Sequence, residues 1–386
     1  MQNGGKINSE RLREARLFRK MTMADLAQAV GINKQAISQF ENNKTSPEPM
    51  TLRKIAEILK FPYSFFVEYD FPSIIGNTYF RALYSSKKKD LAAQKIKAKY
   101  LVKTYSVLAT KVRFRKLNLP DFSAIKADAI EEIAMYTREY WGLGCDPISN
   151  MVSLLEQNGI IVGEFATDSR EIDAFYQYYE QNNLPAYCIV LGTDKKSFFR
   201  RRFNCAHELG HILLHERYSD LNEINREEFR ERENEANAFA AAFLLPAKTF
   251  GDDVSVFPNR LGHYIELKKK WNVSIMAMIM RANALGYLST NQYSYLMRQM
   301  STKGYRQTEP LDDLIEYRHP RALKQSVKLL LTKGNMSAED ILGLFVSNRF
   351  SISANVIEEL LDLEKGTLSK SNDGENKIIE FPILKS

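Results

Sequence analysis

The sequence predicts a mainly α-helical chain with an α+β middle domain. Three observations carry that reading. The N-terminal region is a string of short helical patterns separated by Gly, Asn and Pro. The middle offers three strand candidates, followed by an apolar helix that holds three of the chain's five histidines. The C-terminal region shows helical periodicity alone. A chain of 386 residues exceeds one ordinary core. The boundaries read as 7–70, 71–120 (a basic helical linker), 121–307 and 308–386. Hydrophobic content of 44% with 26% charged residues describes a globular protein. No apolar run is long enough for a membrane helix, and the opening MQNGGKINSERL has no apolar leader. Three scattered cysteines fit reduced thiols in a cytoplasmic setting. A net charge of +7 favours a polyanionic partner without identifying one.

The first elements lie within 8–67. Residues 11–18 are amphipathic. Thr22 is placed to cap a helix running to about Val30, Gly31 makes a tight turn, and Asn33 caps the next helix, which ends near Asn42 and Asn43. Pro47 and Pro49 mark a loop before a helix at 50–59, with Leu52, Ile55, Ala56 and Leu59 on one face. Two short helices about a Gly turn form the helix-turn-helix layout. Leu26, Ala27, Val30, Ile32, Ile37 and Phe40 are spaced to fill its core, which leaves Lys34, Gln35, Ser38 and Gln39 outward. Lys and Gln match the donors and acceptors of a DNA major groove. The stretch TMADLAQAVGINKQAISQFENNKTSP resembles the XRE family, the lambda and P22 repressor-like DNA-binding domains. The resemblance covers about 7–66 and implies a double-stranded operator as partner. Met23 departs from it, since many members carry there a Gln that contacts phosphate. The bland alternative is a small helical bundle that binds protein.

Residues 85–116 read as a basic helix with eleven Lys or Arg against the single acid Asp90. Leu91, Ala98, Tyr105 and Val112 repeat at seven, with Leu101 and Leu108 at the half-step and Gln94 interrupting. Such a helix can make a homodimer seam and meet DNA phosphates, or pack on its own chain. A loop is expected at 118–123.

In the middle region a helix is expected at 127–140 and another at 152–157. The strand candidates are NGIIVGEF, EIDAFYQYY and AYCIVLG. Then comes FNCAHELGHILLH. His207 and His211 are four apart, so they share a helix face and can hold one zinc ion; Glu208 beside them can move a proton of an attacking water. This helix is apolar nearly all round, which argues burial, and buried imidazoles need partners. His215 is about 12 Å along the axis from His207, so packing or support suits it better than ligation. In RERENEANAFAAAFLLP, the buried stripe is Ala236, Phe239, Ala240, Phe243 and Leu244. Glu233 falls within it and Glu235 well off it, so Glu233 is the better third ligand. Asn237 follows one turn after Glu233 and can hydrogen-bond a ligand.

HELGHILLH, then E-x-x-x-N and FAAAFLLP, resembles the ImmA/IrrE metallopeptidases. RRRFNCAHELGH, AYCIVLG and LKKKWNVSIMAMIMRANALGYLS extend the likeness over about 141–307. The resemblance implies a gluzincin-like site with His207, His211 and Glu233 on Zn2+ and Glu208 as base. It also implies protein substrates of the helix-turn-helix repressor type. Chains with an XRE domain fused in front occur in that family. No second donor for the oxyanion stands out.

Downstream, a loop is expected at 250–259 and helices at 261–281 (with Ser274 as an internal cap), 290–300, 322–332, 337–347 and 353–365. His263 and His319 read as surface residues. The tail SKSNDGENKIIEFPILKS is polar, then apolar. The function expected is a DNA-binding regulator with a zinc endopeptidase. The competing reading is a transcription factor or antitoxin whose metal domain senses or binds a partner without cutting it.

Overall fold

The structure is a computed structural model of the chain. It describes residues 7–71, 73–80, 88–122, 125, 129–167, 172–181, 184–194, 197–215, 225–312 and 318–368. The tail at 369–386 lies outside them.

The N-terminal helices are set by their caps. Asn8 caps α1 (Ser9–Phe18). Thr22 and Asp25 form a reciprocal capping box on α2 (Met23–Val30), and Gly31 ends it at φ 81°, a left-handed conformation that a side chain would resist. The Asn33 side chain accepts from the Ala36 amide to start α3 (Lys34–Glu41). Pro49 sits in the first turn of α4 (Pro49–Leu59), where its missing N–H costs nothing. Leu26, Val30, Ile37, Phe40, Leu52 and Ile55 meet in the core as expected.

Next comes β1 (Ser73–Phe80), a strand that the sequence reading did not contain. The basic helix is α5 (Lys88–Leu108); residues 111–116 are not helical, and 85–87 lie outside the described residues. Only part of its charge faces outward: Lys89 and Lys95 are exposed. Leu91, Ala98, Leu101 and Leu108 are buried in the chain's own core, so the seam is used internally. Lys97, Lys99 and Lys103 are buried too. Lys99 pairs with Glu14, and Lys103 with Asp70; the Tyr100 hydroxyl donates to Glu14 at 3.1 Å. Acids distant in sequence thus take up the charge of Lys99 and Lys103, while Lys89 and Lys95 stay exposed.

The middle region contains α6 (Ile130–Tyr140), α7 (Met151–Gln157), β2 (Ile161–Phe165), β3 (Ala174–Gln181) and β4 (Leu184–Gly192). It continues with α8 (Phe198–Leu214) and α9 (Arg226–Leu244). The sheet order is β1-β3-β4-β2, with β2 parallel to β4 and the other pairs antiparallel. Its two faces alternate between two cores. Ile161, Phe165, Phe175, Tyr179, Cys188 and Val190 join the core shared by α5, the N-terminal helices and the C-terminal helices. Val162, Tyr176, Tyr178, Tyr187, Ile189 and Leu191 join the core that holds α8 and α9.

The expected loop at 250–259 is corrected. Its first half is α10 (Ala247–Ser255), because Phe250 and Val254, one turn apart, are both buried. The expected helix at 261–281 is two. Asn272 turns left-handed at φ 54° to end α11 (Leu261–Trp271), and Ser274 caps α12 (Ile275–Ala284). Then come α13 (Thr290–Thr302), α14 (Ala322–Thr332), α15 (Ala338–Ser347) and α16 (Ala354–Leu361). The last three return to pack beside α5. Cys145, Cys188 and Cys205 are all free. No described helix is long and apolar enough to cross a membrane.

Candidate metal centre and DNA-reading helix

Helices α8 and α9 pack closely because Gly210 permits it. A Cβ there would lie 3.1 Å from the Phe239 ring and 3.2 Å from Ala236 backbone. This contact brings the two motifs together. His211 Nε2 lies 3.0 Å from His207 Nε2 and 3.2 Å from Glu233 Oε1. His207 Nε2 lies 3.5 Å from Glu233 Oε2. Among the described residues these three offer ligand atoms within 4.8 Å of one another. Both imidazoles are buried, and Glu208, between them in sequence, is 2% exposed.

The far side of each ring is held. The Asn237 side-chain oxygen sits 3.1 Å from His207 Nδ1, where it can accept a hydrogen bond from that nitrogen and so orient the ring. His211 Nδ1 is 2.9 Å from His215 Nδ1, and His215 Nε2 is 2.9 Å from Glu235. Burial lowers the His211 pKa to about 3 and lowers that of His215. Burial alone would raise the Glu233 pKa, but its bonds to His207 and His211 hold it well below the carboxylate range. Two imidazoles and one carboxylate converging on one point are the donor set of a divalent metal. The residues therefore fit zinc.

The sequence reading placed Glu233 inward and Glu235 outward, and the structure separates them in that way. It missed the partner of His215. The four-residue step from His211 to His215 was the available signal, but nothing nearby in sequence pointed to Glu235. A second cluster, Glu164, His319 and Asp362, also gathers ligand atoms. Arg201 lies 2.8 Å from Glu164 and Lys324 3.0 Å from Asp362, so those carboxylates already have cations. His319 is exposed, as expected of a surface residue.

At the other end, Lys34 and Gln35 are exposed and Ser38 and Gln39 half-buried, on a helix anchored by Ile37 and Phe40. All four stand outside the core on α3.

Comparison with known proteins agrees with both ends. Residues 12–66 match the helix-turn-helix family and 156–283 the IrrE N-terminal-like domain, a peptidase family. The chain joins a helix-turn-helix domain to an IrrE-like peptidase-family domain. The uncharacterized HTH-type transcriptional regulator RghRB of Bacillus subtilis (strain 168) is 46% identical over 55 residues, 14% of this chain and 40% of that protein. The HTH-type transcriptional repressor RghR of the same organism is also 46% identical over 55 residues, 14% of this chain and 41% of its own. HTH-type transcriptional regulator SutR of Escherichia coli (strain K12) is 37% identical over 67 residues, 17% and 38%. The chain thus spans about two fifths of the length of the curated relatives it matches. The N-terminal domain is a helix-turn-helix DNA-binding domain, and the candidate metal centre falls inside the peptidase-family region.

Proposed function

We propose that this protein is a cytoplasmic DNA-binding regulator carrying a zinc-dependent endopeptidase, and that it cleaves a repressor-type protein. The observation that carries the reading is the convergence of His207, His211 and Glu233 with Glu208 on the same buried helix turn. His207, His211 and Glu233 would hold zinc, with Asn237 and His215 orienting the two imidazoles. Bound zinc supplies Lewis acidity to a carbonyl and to a water. Glu208 accepts a proton from the attacking water and delivers it to the leaving amide nitrogen. Lys34, Gln35, Ser38 and Gln39 read the operator from the major groove.

A second reading keeps the DNA-binding regulator, the role that the relatives' names carry for the N-terminal end, with a metal domain that senses or binds a partner and cuts nothing. The separating experiment is zinc-loaded full chain incubated with a helix-turn-helix repressor, beside Glu208→Gln. Cleavage by wild type and not by the variant is expected. Equal fragment patterns, or none with any repressor offered, would favour the second reading.

A further inference from the structure

The peptidase-family region at 156–283 contributes β2, β3 and β4 to the sheet. Within that region alone, β3 is an edge strand. β1, at 73–80, lies outside it and pairs antiparallel along that edge. β3 is also a strand of the metal centre: it packs on α8, and the Tyr176 ring stacks against His211 with centroids 6.2 Å apart. In register, Tyr79 stands opposite Tyr176 and Thr78 opposite Gln177.

A sheet edge offers a row of N–H and C=O groups, and extended peptides bind by adding a strand there. A segment of the chain itself holds that edge, on the strand whose Tyr176 stacks against His211. Its hold is incomplete. The register shifts between Ile75 and Thr78, and Ile74 and Ile75 are 50% and 41% exposed. At Ile74 and Ile75 little apolar surface is buried, so at those two positions the pairing rests on main-chain bonds, which another peptide can replace. β1 also follows directly on the helix-turn-helix domain and leads toward α5, so movement of either can pull on it.

We propose that the β3 edge is the peptide-binding edge of the metal centre and that β1 is its internal occupant, blocking the edge until displaced. Each main-chain group on that side of β3 can serve one strand at a time. The ligand class is an extended, uncharged peptide rich in β-branched and aromatic residues, like β1 itself. The blocking role rests on the peptidase reading; the binding role does not.

The test uses full chain, wild type and the double variant Ile75→Pro, Thr78→Pro, with a dye-labelled synthetic peptide SIIGNTYF followed by fluorescence anisotropy, with chelator and with zinc. The variant should bind the peptide at least ten times more tightly than wild type. Its amides at 174–181 should exchange hydrogen faster and slow again when peptide is added. A variant with native circular dichroism and normal zinc uptake that ignores the peptide overturns the proposal. Should the variant not fold, hydrogen exchange on wild type decides: β1 amides that open only with global unfolding overturn it, and β1 amides that open well before it support it. Peptide capture without cleavage of any protein supports the edge site while removing the peptidase reading.

Discussion

The finest distinctions in this protein are between neighbouring acids on one helix. Glu233 and Glu235 are two apart, yet one faces two buried imidazoles and the other supports His215 from the exposed side. Metal affinity should therefore fall in a definite order. Glu233→Ala removes a proposed ligand and should abolish stoichiometric zinc. Asn237→Ala and His215→Ala release one imidazole each and should weaken zinc by about 10–100-fold. Glu235→Ala acts one bond further out and should cost less than either. Competition with a chromogenic chelator measures all four, and a Glu235→Ala loss as large as that of Glu233→Ala would reverse the assignment. On α3 the corresponding distinction is between reading and holding. Gln35→Ala or Gln39→Ala should relax base preference by about 1–3 kcal/mol per lost bidentate contact. Random-site selection with the full chain checks it, and a base preference unchanged in both variants would move the reading residues elsewhere.

Elements owe their places to partners far along the chain, and there sequence reasoning succeeded or failed. The caps at Thr22 and Asn33 are local, and each starts a helix where the sequence put it; Ser274, read as an internal cap of one helix, starts a second one instead. The α9 stripe is local as well, so Glu233 was legible. β1 was not: SIIGNTYF is interrupted by Gly-Asn, and its partner β3 lies about a hundred residues away. The lysines of α5 read as a solvated face because Glu14 and Asp70 answer them only in three dimensions. That arrangement has an energetic signature. Glu14→Ala takes the nearest acid from buried Lys99, leaving Glu10 at 3.4 Å and Asp70 at 3.9 Å, and should cost about 3 kcal/mol. Glu14→Leu with Lys99→Met removes both charges and should recover most of that loss, apart from the Tyr100 hydroxyl bond. Denaturant unfolding of the full chain measures it. A double variant as unstable as the single one would mean that the pair stabilises through packing and not through charge compensation.

At the scale of the whole molecule, the sheet is where two cores meet. One face carries the helix of the metal centre; the other carries α5, which packs against α1 of the DNA-binding domain and against the returning C-terminal helices. Arg11 extends the tie, bonding the Arg349 carbonyl at 2.7 Å and pairing with Asp70. The two proposed activities are therefore chemically separate and mechanically joined. On the proposed reading Glu208 moves a proton and ligates nothing, so Glu208→Gln should keep zinc, fold and operator binding while losing proteolysis. His207→Ala would remove a proposed ligand that links α8 to α9. Zinc at about 100 times its Kd contributes about 2.7 kcal/mol to stability, so this variant should unfold earlier by about that amount and bind zinc poorly. The decisive comparison places wild type, Glu208→Gln and His207→Ala on one operator, with and without a candidate repressor, reading transcription and thermal unfolding together. If Glu208→Gln regulates as wild type does and His207→Ala fails only where it unfolds, the metal works as a brace for the sheet that carries the DNA-binding domain. If Glu208→Gln alone abolishes regulation in a folded, zinc-loaded, DNA-bound protein, the proton it moves is what connects the peptidase to the operator.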